Sequence, residues 1–133
     1  MPRTARRTWQ LAEGRAAALF GCRRQVSSGS SGRDDLTASD STHPVVFIES
    51  KLRDRHAART LHDATKKRAA KERKTPVLAL FDKQRHGCLI VVHSDDLMTV
   101  VAEYAAALSD EERVRLEGLI RQAYARRNGG ETA

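Results

Sequence analysis

The chain has 133 residues, of which 40% are hydrophobic and 31% charged, with a formal net charge of +7. That length suits one domain able to bury a core without staples, and no apolar run is long enough to cross a bilayer. The first residues lack the apolar segment of a signal peptide, and Cys22 and Cys88 form no CxxC pair, so a cytoplasmic protein with no membrane partner, no disulfide framework and no Cys-rich zinc site is expected.

Residues 4–20, TARRTWQLAEGRAAALF, predict a helix ending at Gly21, the position after a helix where a left-handed residue is often needed. At about 100° per residue Trp9, Ala16 and Phe20 share a narrow stripe, flanked by Ala12 and Leu19. Glu13 falls inside it. A carboxylate there needs a cation, a donor or a metal, or else reaches solvent from the stripe's edge. CRRQVSS, 22–28, alternates weakly and predicts a first strand, amphipathic or at an edge. The Ser/Gly/Asp-rich segment that follows reads as a loop or loose hairpin, in which Asp34, Asp35 and Asp40 are turn or cap residues unless a site recruits them.

PVVFIESK, 44–51, is an apolar run ending in opposite charges. In a strand Val45, Phe47, Glu49 and Lys51 share one face and Val46, Ile48 and Ser50 the other. With both faces apolar at the start, a central strand covered on two sides is expected. A second helix over 54–73 has a slender side of small residues (Ala57, Ala58, Leu61, Ala64, Thr65, Ala69) and a basic remainder. PVLALFD, 76–82, and GCLIVVHS, 87–94, read as buried strands, the second returning antiparallel. Ser94 is expected to cap a helix of about a dozen residues. A last helix opens at SDEE, where Ser109 and Glu112 have capping-box spacing, and carries the stripe Leu116, Leu119, Ile120 and Ala123. The two cysteines are expected as small buried thiols. His43, His56, His62, His86 and His93 show no ligand-pair spacing and are expected to be solvated or capping.

The crossover from 44–51 through a helix to 76–82 is a βαβ unit, implying parallel strands in a mixed central β-sheet flanked by helices. One α/β domain over 1–133 is expected, with a core at about 4–94 and C-terminal helices at about 95–127. The basic excess lies in residues 1–86, whereas 87–133 is net acidic. Such an imbalance favours a polyanionic partner, through phosphate neutralisation and counterion release.

An acid, a gap and then Glu-x-Lys at a strand end has a definite chemical use. Two carboxylates hold a hard divalent cation, and an ammonium on the same face orients water and offsets transition-state charge. With these residues in this order the chain resembles the PD-(D/E)xK nuclease superfamily, and within it the small archaeal-type Holliday junction resolvases and their phage relatives, over about Trp9 to His93. The resemblance implies a restriction-endonuclease-like αβββαβ core and a homodimer cutting branched DNA with Mg²⁺ or Mn²⁺. It matches Glu13, Asp40, Glu49 and Lys51 to the catalytic set. Asp40, Glu49, the Ser50 carbonyl and Glu13 would be metal ligands. Asp34 and Asp35 stay open as alternatives to Asp40, which lies in SDST rather than beside apolar residues. Arg24 with Ser27 or Ser28 matches the family's first-strand pair. The neighbouring cations Arg53, Arg55, Lys66, Lys67 and Lys71 are expected to meet DNA. The competing expectations are a nuclease of this superfamily acting on other DNA structures, a non-catalytic basic nucleic-acid-binding module and a basic scaffold.

Overall fold

The computed structural model describes residues 2–25 and 39–129, with residues 2–7 described by their backbone alone. Ser27, Ser28, Asp34 and Asp35 lie outside the described residues. The protein is mixed α/β, with four α-helices and a two-stranded antiparallel sheet among the described residues. It divides into two compact units, Met1–Asp54 and Arg55–Ala133. The division thus falls just after the 44–51 run.

In the first unit α1 spans Pro2–Leu19. Its end is set by Gly21, whose φ of 65° is open to glycine at no steric cost. There the Cys22 N–H donates to Ala17 O at 3.1 Å and the Gly21 N–H to Ala18 O at 3.0 Å, the paired bonds of a Schellman end. The covered line on α1 runs through Glu13 and Ala17, one turn apart, while Trp9 and Phe20 are exposed. Glu13 is therefore not a stripe-edge residue reaching solvent.

Beyond α1, three extended segments lie side by side. Arg24 and Ser41 form an isolated antiparallel bridge, supported by Gln25 N–H to Asp40 O (2.8 Å) and Thr42 N–H to Arg23 O (2.9 Å). The Asp40 N–H donates to Ile48 O at 2.7 Å, joining the second segment to the third. Pro44 restricts the intervening turn, and the His43 Nδ1 accepts from the N–H groups of Val45 (3.1 Å) and Val46 (2.9 Å). His43 is a capping histidine, as expected.

The 44–51 run does not become a regular strand, because side chains take up the backbone groups that a ladder would use. Ser39 Oγ accepts from the Ile48 N–H (2.8 Å) and donates to Ile48 O (3.1 Å), and the Ser50 N–H goes to the Asp40 carboxylate. The run keeps a period of two: Val46, Ile48 and Ser50 are half-buried, while Val45, Phe47, Glu49 and Lys51 are exposed. One face is covered, not the two expected of a central strand.

In the second unit α2 spans Ala57–Lys71. Its inward line is Ala58, His62, Thr65 and Ala69, at helical spacing, with Leu61 exposed. His62 is 3% exposed, so the expectation of a solvated or capping histidine fails for it. Its Nε2 has no hydrogen-bond partner, and its ring lies 6.4 Å from that of His93, centroid to centroid. Strands β1 (Leu78–Leu80) and β2 (Leu89–Val91) pair antiparallel, Leu78 opposite Val91 and Leu80 opposite Leu89. The antiparallel return is as expected, but burial is not: Phe81, Leu89 and Ile90 are exposed, as is Cys88. Cys22 is half-buried and its Sγ donates to Ala17 O at 3.1 Å.

A 3₁₀ turn, Ser94–Asp96, leads into α3, Leu97–Ala107. Ser94 does not cap α3: His93 caps the 3₁₀ turn, its Nδ1 accepting the Asp95 N–H at 3.0 Å, and α3 starts after Asp96 with no side-chain cap bond. α4 runs Asp110–Gly129 and opens with the expected capping box, Glu112 N–H to Ser109 Oγ (3.2 Å) and Ser109 N–H to Glu112 Oε1 (3.1 Å). No helix among the described residues is long and apolar enough to cross a membrane.

Candidate active site and basic groove

Four residues, Glu13, Asp40, Glu49 and Lys51, carry the acid and cation pattern, and all belong to the first unit. Glu13 is 5% exposed on α1, and its Oε2 accepts from Arg24 Nη1 at 3.1 Å. The helix needs a cation opposite that carboxylate, and the first extended segment supplies it. Arg24 sits at the bridge to Ser41, so this ion pair ties α1 to the segment that carries Asp40.

Asp40 Oδ2 accepts the Ser50 N–H at 2.6 Å. This is the amide between Glu49 and Ser50, so the carboxylate lies against the backbone of the Glu-Ser-Lys tripeptide. Glu49 Oε1 pairs with Lys51 Nζ at 3.0 Å, both side chains more than half exposed. Alternation along the extended run puts them on one face, as the sequence implies. Ser50 faces the other way, its Oγ buried without a partner.

The structure brings these residues together in pairs: Glu13 with Arg24, Asp40 with the Ser50 amide, and Glu49 with Lys51. Among the described residues no three His, Cys, Asp or Glu side chains converge as a metal-holding group. The donors at the tripeptide are all oxygen, which suits Mg²⁺ or Mn²⁺. Mg²⁺ commonly takes one or two carboxylates and completes its shell with water and phosphate. Asp40, Glu49 and the Ser50 carbonyl offer oxygen donors of that kind, with Glu49 paired to Lys51 as Glu13 is to Arg24.

Ser39 went unread in the sequence, yet its hydroxyl sets the register between the Asp40 segment and the Glu49 segment. A serine directly before the acid was the available signal, since serine hydroxyls readily replace backbone partners. Arg24, grouped by resemblance with DNA contacts, has its guanidinium on Glu13.

In the second unit Arg55, Thr60, Asp63, Lys66 and Lys67 line a groove of about 700 Å³ along α2. Arg55 Nε donates to Thr60 Oγ1 at 3.2 Å, which holds the guanidinium at the groove. Lys71 lies in the last turn of the same helix, and Arg53 is exposed in the first unit. No protein-family model, curated protein or solved structure matches the chain.

Proposed function

We propose that the protein is a metal-dependent DNA endonuclease with a restriction-endonuclease-like αβββαβ core, acting first on branched DNA of the Holliday junction type. The observation that carries this reading is the 2.6 Å bond from the Ser50 N–H to Asp40, which sets a second carboxylate against the Glu-Ser-Lys backbone. The order of elements supports it: α1, three extended segments linked by hydrogen bonds, α2 and then β1.

Asp40, Glu49 and the Ser50 carbonyl would hold Mg²⁺ or Mn²⁺. The bound ion would polarise a phosphodiester and lower the pKa of its water. Lys51, on the face of Glu49, orients the attacking water and offsets negative charge as the five-coordinate phosphorus forms. Glu13 acts through Arg24 by fixing α1 against the first segment, and it is the further carboxylate if the site takes a third. Two cuts related by symmetry in a four-way junction call for two copies of the site, so the reading includes a homodimer.

The test is cleavage of a panel of junction, fork, single-strand and duplex DNA with and without Mg²⁺. Glu49→Ala and Lys51→Ala should abolish cleavage with little effect on stability, because an exposed ion pair contributes about 0–1 kcal/mol. Cleavage unchanged in both variants would sink the proposal. The second reading, a non-catalytic nucleic-acid-binding module, is favoured by the basic groove on α2 alone. It expects salt-dependent, metal-independent binding and no cleavage of any DNA in the panel.

A further inference from the structure

The open face of the 44–51 run carries more than Glu49 and Lys51. Phe47 and Val45 precede Glu49 on it by two and four residues, and each is 62% exposed. At about 3.3 Å per residue, Phe47 sits about 7 Å from Glu49 and about 13 Å from Lys51 along the run. One exposed apolar side chain is ordinary on a protein surface. Here a valine and an aromatic ring lead in file to an exposed ion pair, and Arg53, exposed and in no ion pair among the described residues, follows it.

The backbone on both sides of Phe47 is pinned. The Val46 N–H donates to His43 Nδ1 at 2.9 Å, and Ser39 Oγ holds the N–H and the carbonyl of Ile48 at 2.8 and 3.1 Å. Val46 and Ile48 turn to the covered side. The ring is thus open to solvent on a fixed backbone, which suits a platform that loses little freedom on binding. Every nucleic-acid base has a face that stacks on such a ring, whatever the sequence. Inside a continuous duplex those faces already cover one another, about 3.4 Å apart along each strand. A base at a branch point, at a fork or in a single strand has a face free.

We propose that Phe47 is the base-stacking residue of the candidate site, taking one unpaired base beside the phosphate held at Glu49 and Lys51, with Arg53 as a phosphate contact beyond the pair. Resting on the nuclease reading for the position of the cut, this names the substrate class: DNA with an unstacked base next to the scissile phosphate, in preference to continuous duplex.

The experiment uses the full chain without divalent metal, so that binding is read apart from cleavage. Anisotropy gives affinity, and 2-aminopurine placed in a single strand, at the open base of a fork or inside a duplex reports stacking. Phe47→Ala should weaken single-strand and fork binding by about 5- to 150-fold, the loss of one base–aromatic stack, and leave duplex binding as it is. Phe47→Leu keeps an apolar side chain on the run, so its folding is not at issue, and it should match Phe47→Ala. Phe47→Trp should keep native binding. The 2-aminopurine signal of the single strand and fork should respond to the native and Phe47→Trp chains and not to the other two. Native affinity in Phe47→Leu overturns the proposal and makes the strip a plain apolar contact, as for another protein. Equal losses on duplex and single strand overturn it as well. Cleavage with Mg²⁺ is scored separately. A native chain that cuts the panel while Phe47→Ala binds and cuts as before overturns the stack and leaves the nuclease reading standing. A native chain that cuts nothing, yet stacks a base through Phe47, overturns the nuclease reading and supports the stack.

Discussion

The carboxylate of Asp40 and the backbone amide of Ser50 are joined at 2.6 Å, a short N–H···O bond. The bond gives Asp40 a structural duty separate from its charge. Asp40→Asn keeps an acceptor for the amide and should hold the 39–42 segment against 46–50, while losing Mg²⁺-dependent cleavage. Asp40→Ala should lose both, with about 1–3 kcal/mol of stability gone because the amide loses its partner. Urea denaturation of the two variants beside a cleavage assay separates these effects. Equal stability of the two would show that the bond does not organise the site.

Glu13 and Arg24 form a pair whose carboxylate is almost wholly covered and whose guanidinium is partly open. Removing one member strands the other, so Glu13→Ala should destabilise the first unit by about 1.5–3 kcal/mol, the cost of losing a hydrogen bond to a charged group. Arg24→Ala should cost at least as much, because it leaves a covered carboxylate unpaired. The double variant should then cost less than the sum of the two. A double-mutant cycle read by thermal unfolding checks this, and additivity would deny the coupling.

At the start of α4 the Glu112 carboxyl is held below the usual glutamate range. The Ser109 N–H is the main cause, with the Ser109 hydroxyl and the Arg115 charge adding to it. A lowered folded-state pKa means that the cap's contribution is complete above the ordinary glutamate value and fades as the pH falls through the lowered one. Ser109→Ala should cost about 1 kcal/mol of helix stability. Hydrogen exchange of the Glu112 amide, measured above and below that range, should show protection lost on acidification in the native chain. The Ser109→Ala chain should be less protected at the higher pH and change less with acid.

The groove on α2 makes a prediction independent of catalysis. Each phosphate contact contributes about 0.9 to the slope of log K against log salt for duplex DNA. Replacing Lys66 and Lys67 together with Ala should therefore lower that slope by about 2 and weaken binding to every duplex alike. A fluorescence-anisotropy titration over a salt series reads it, and an unchanged slope would remove α2 from the interface.

Local chemistry was legible in the residues wherever one segment decides its own shape. Gly21 ended α1 because the chain there must turn left-handed, and Ser109 with Glu112 opened α4 because the spacing closes two bonds within one turn. The alternation of 44–51 also survived, with Glu49 and Lys51 on one face. Pairing was not legible there. An apolar run reads as a central strand only if other strands take its backbone groups, and here Ser39 and Asp40 side chains take them instead. His62 departs from expectation for a related reason: ligand-pair spacing says nothing of its place on the inward line of α2, which buries it.

What the sequence by itself determined is the set of helices, the end of α1 at Gly21, the start of α4 at Ser109 and the placing of Glu49 beside Lys51, since propensity, capping and periodicity act over a few residues. Only the tertiary structure decided that Glu13 finds Arg24 and that Asp40 finds the Ser50 amide. Those bonds join residues 11 and 10 positions apart in sequence. Which cation a covered carboxylate meets, and which amide a free one accepts, depends on how extended segments lie beside one another, and no local rule of spacing contains that.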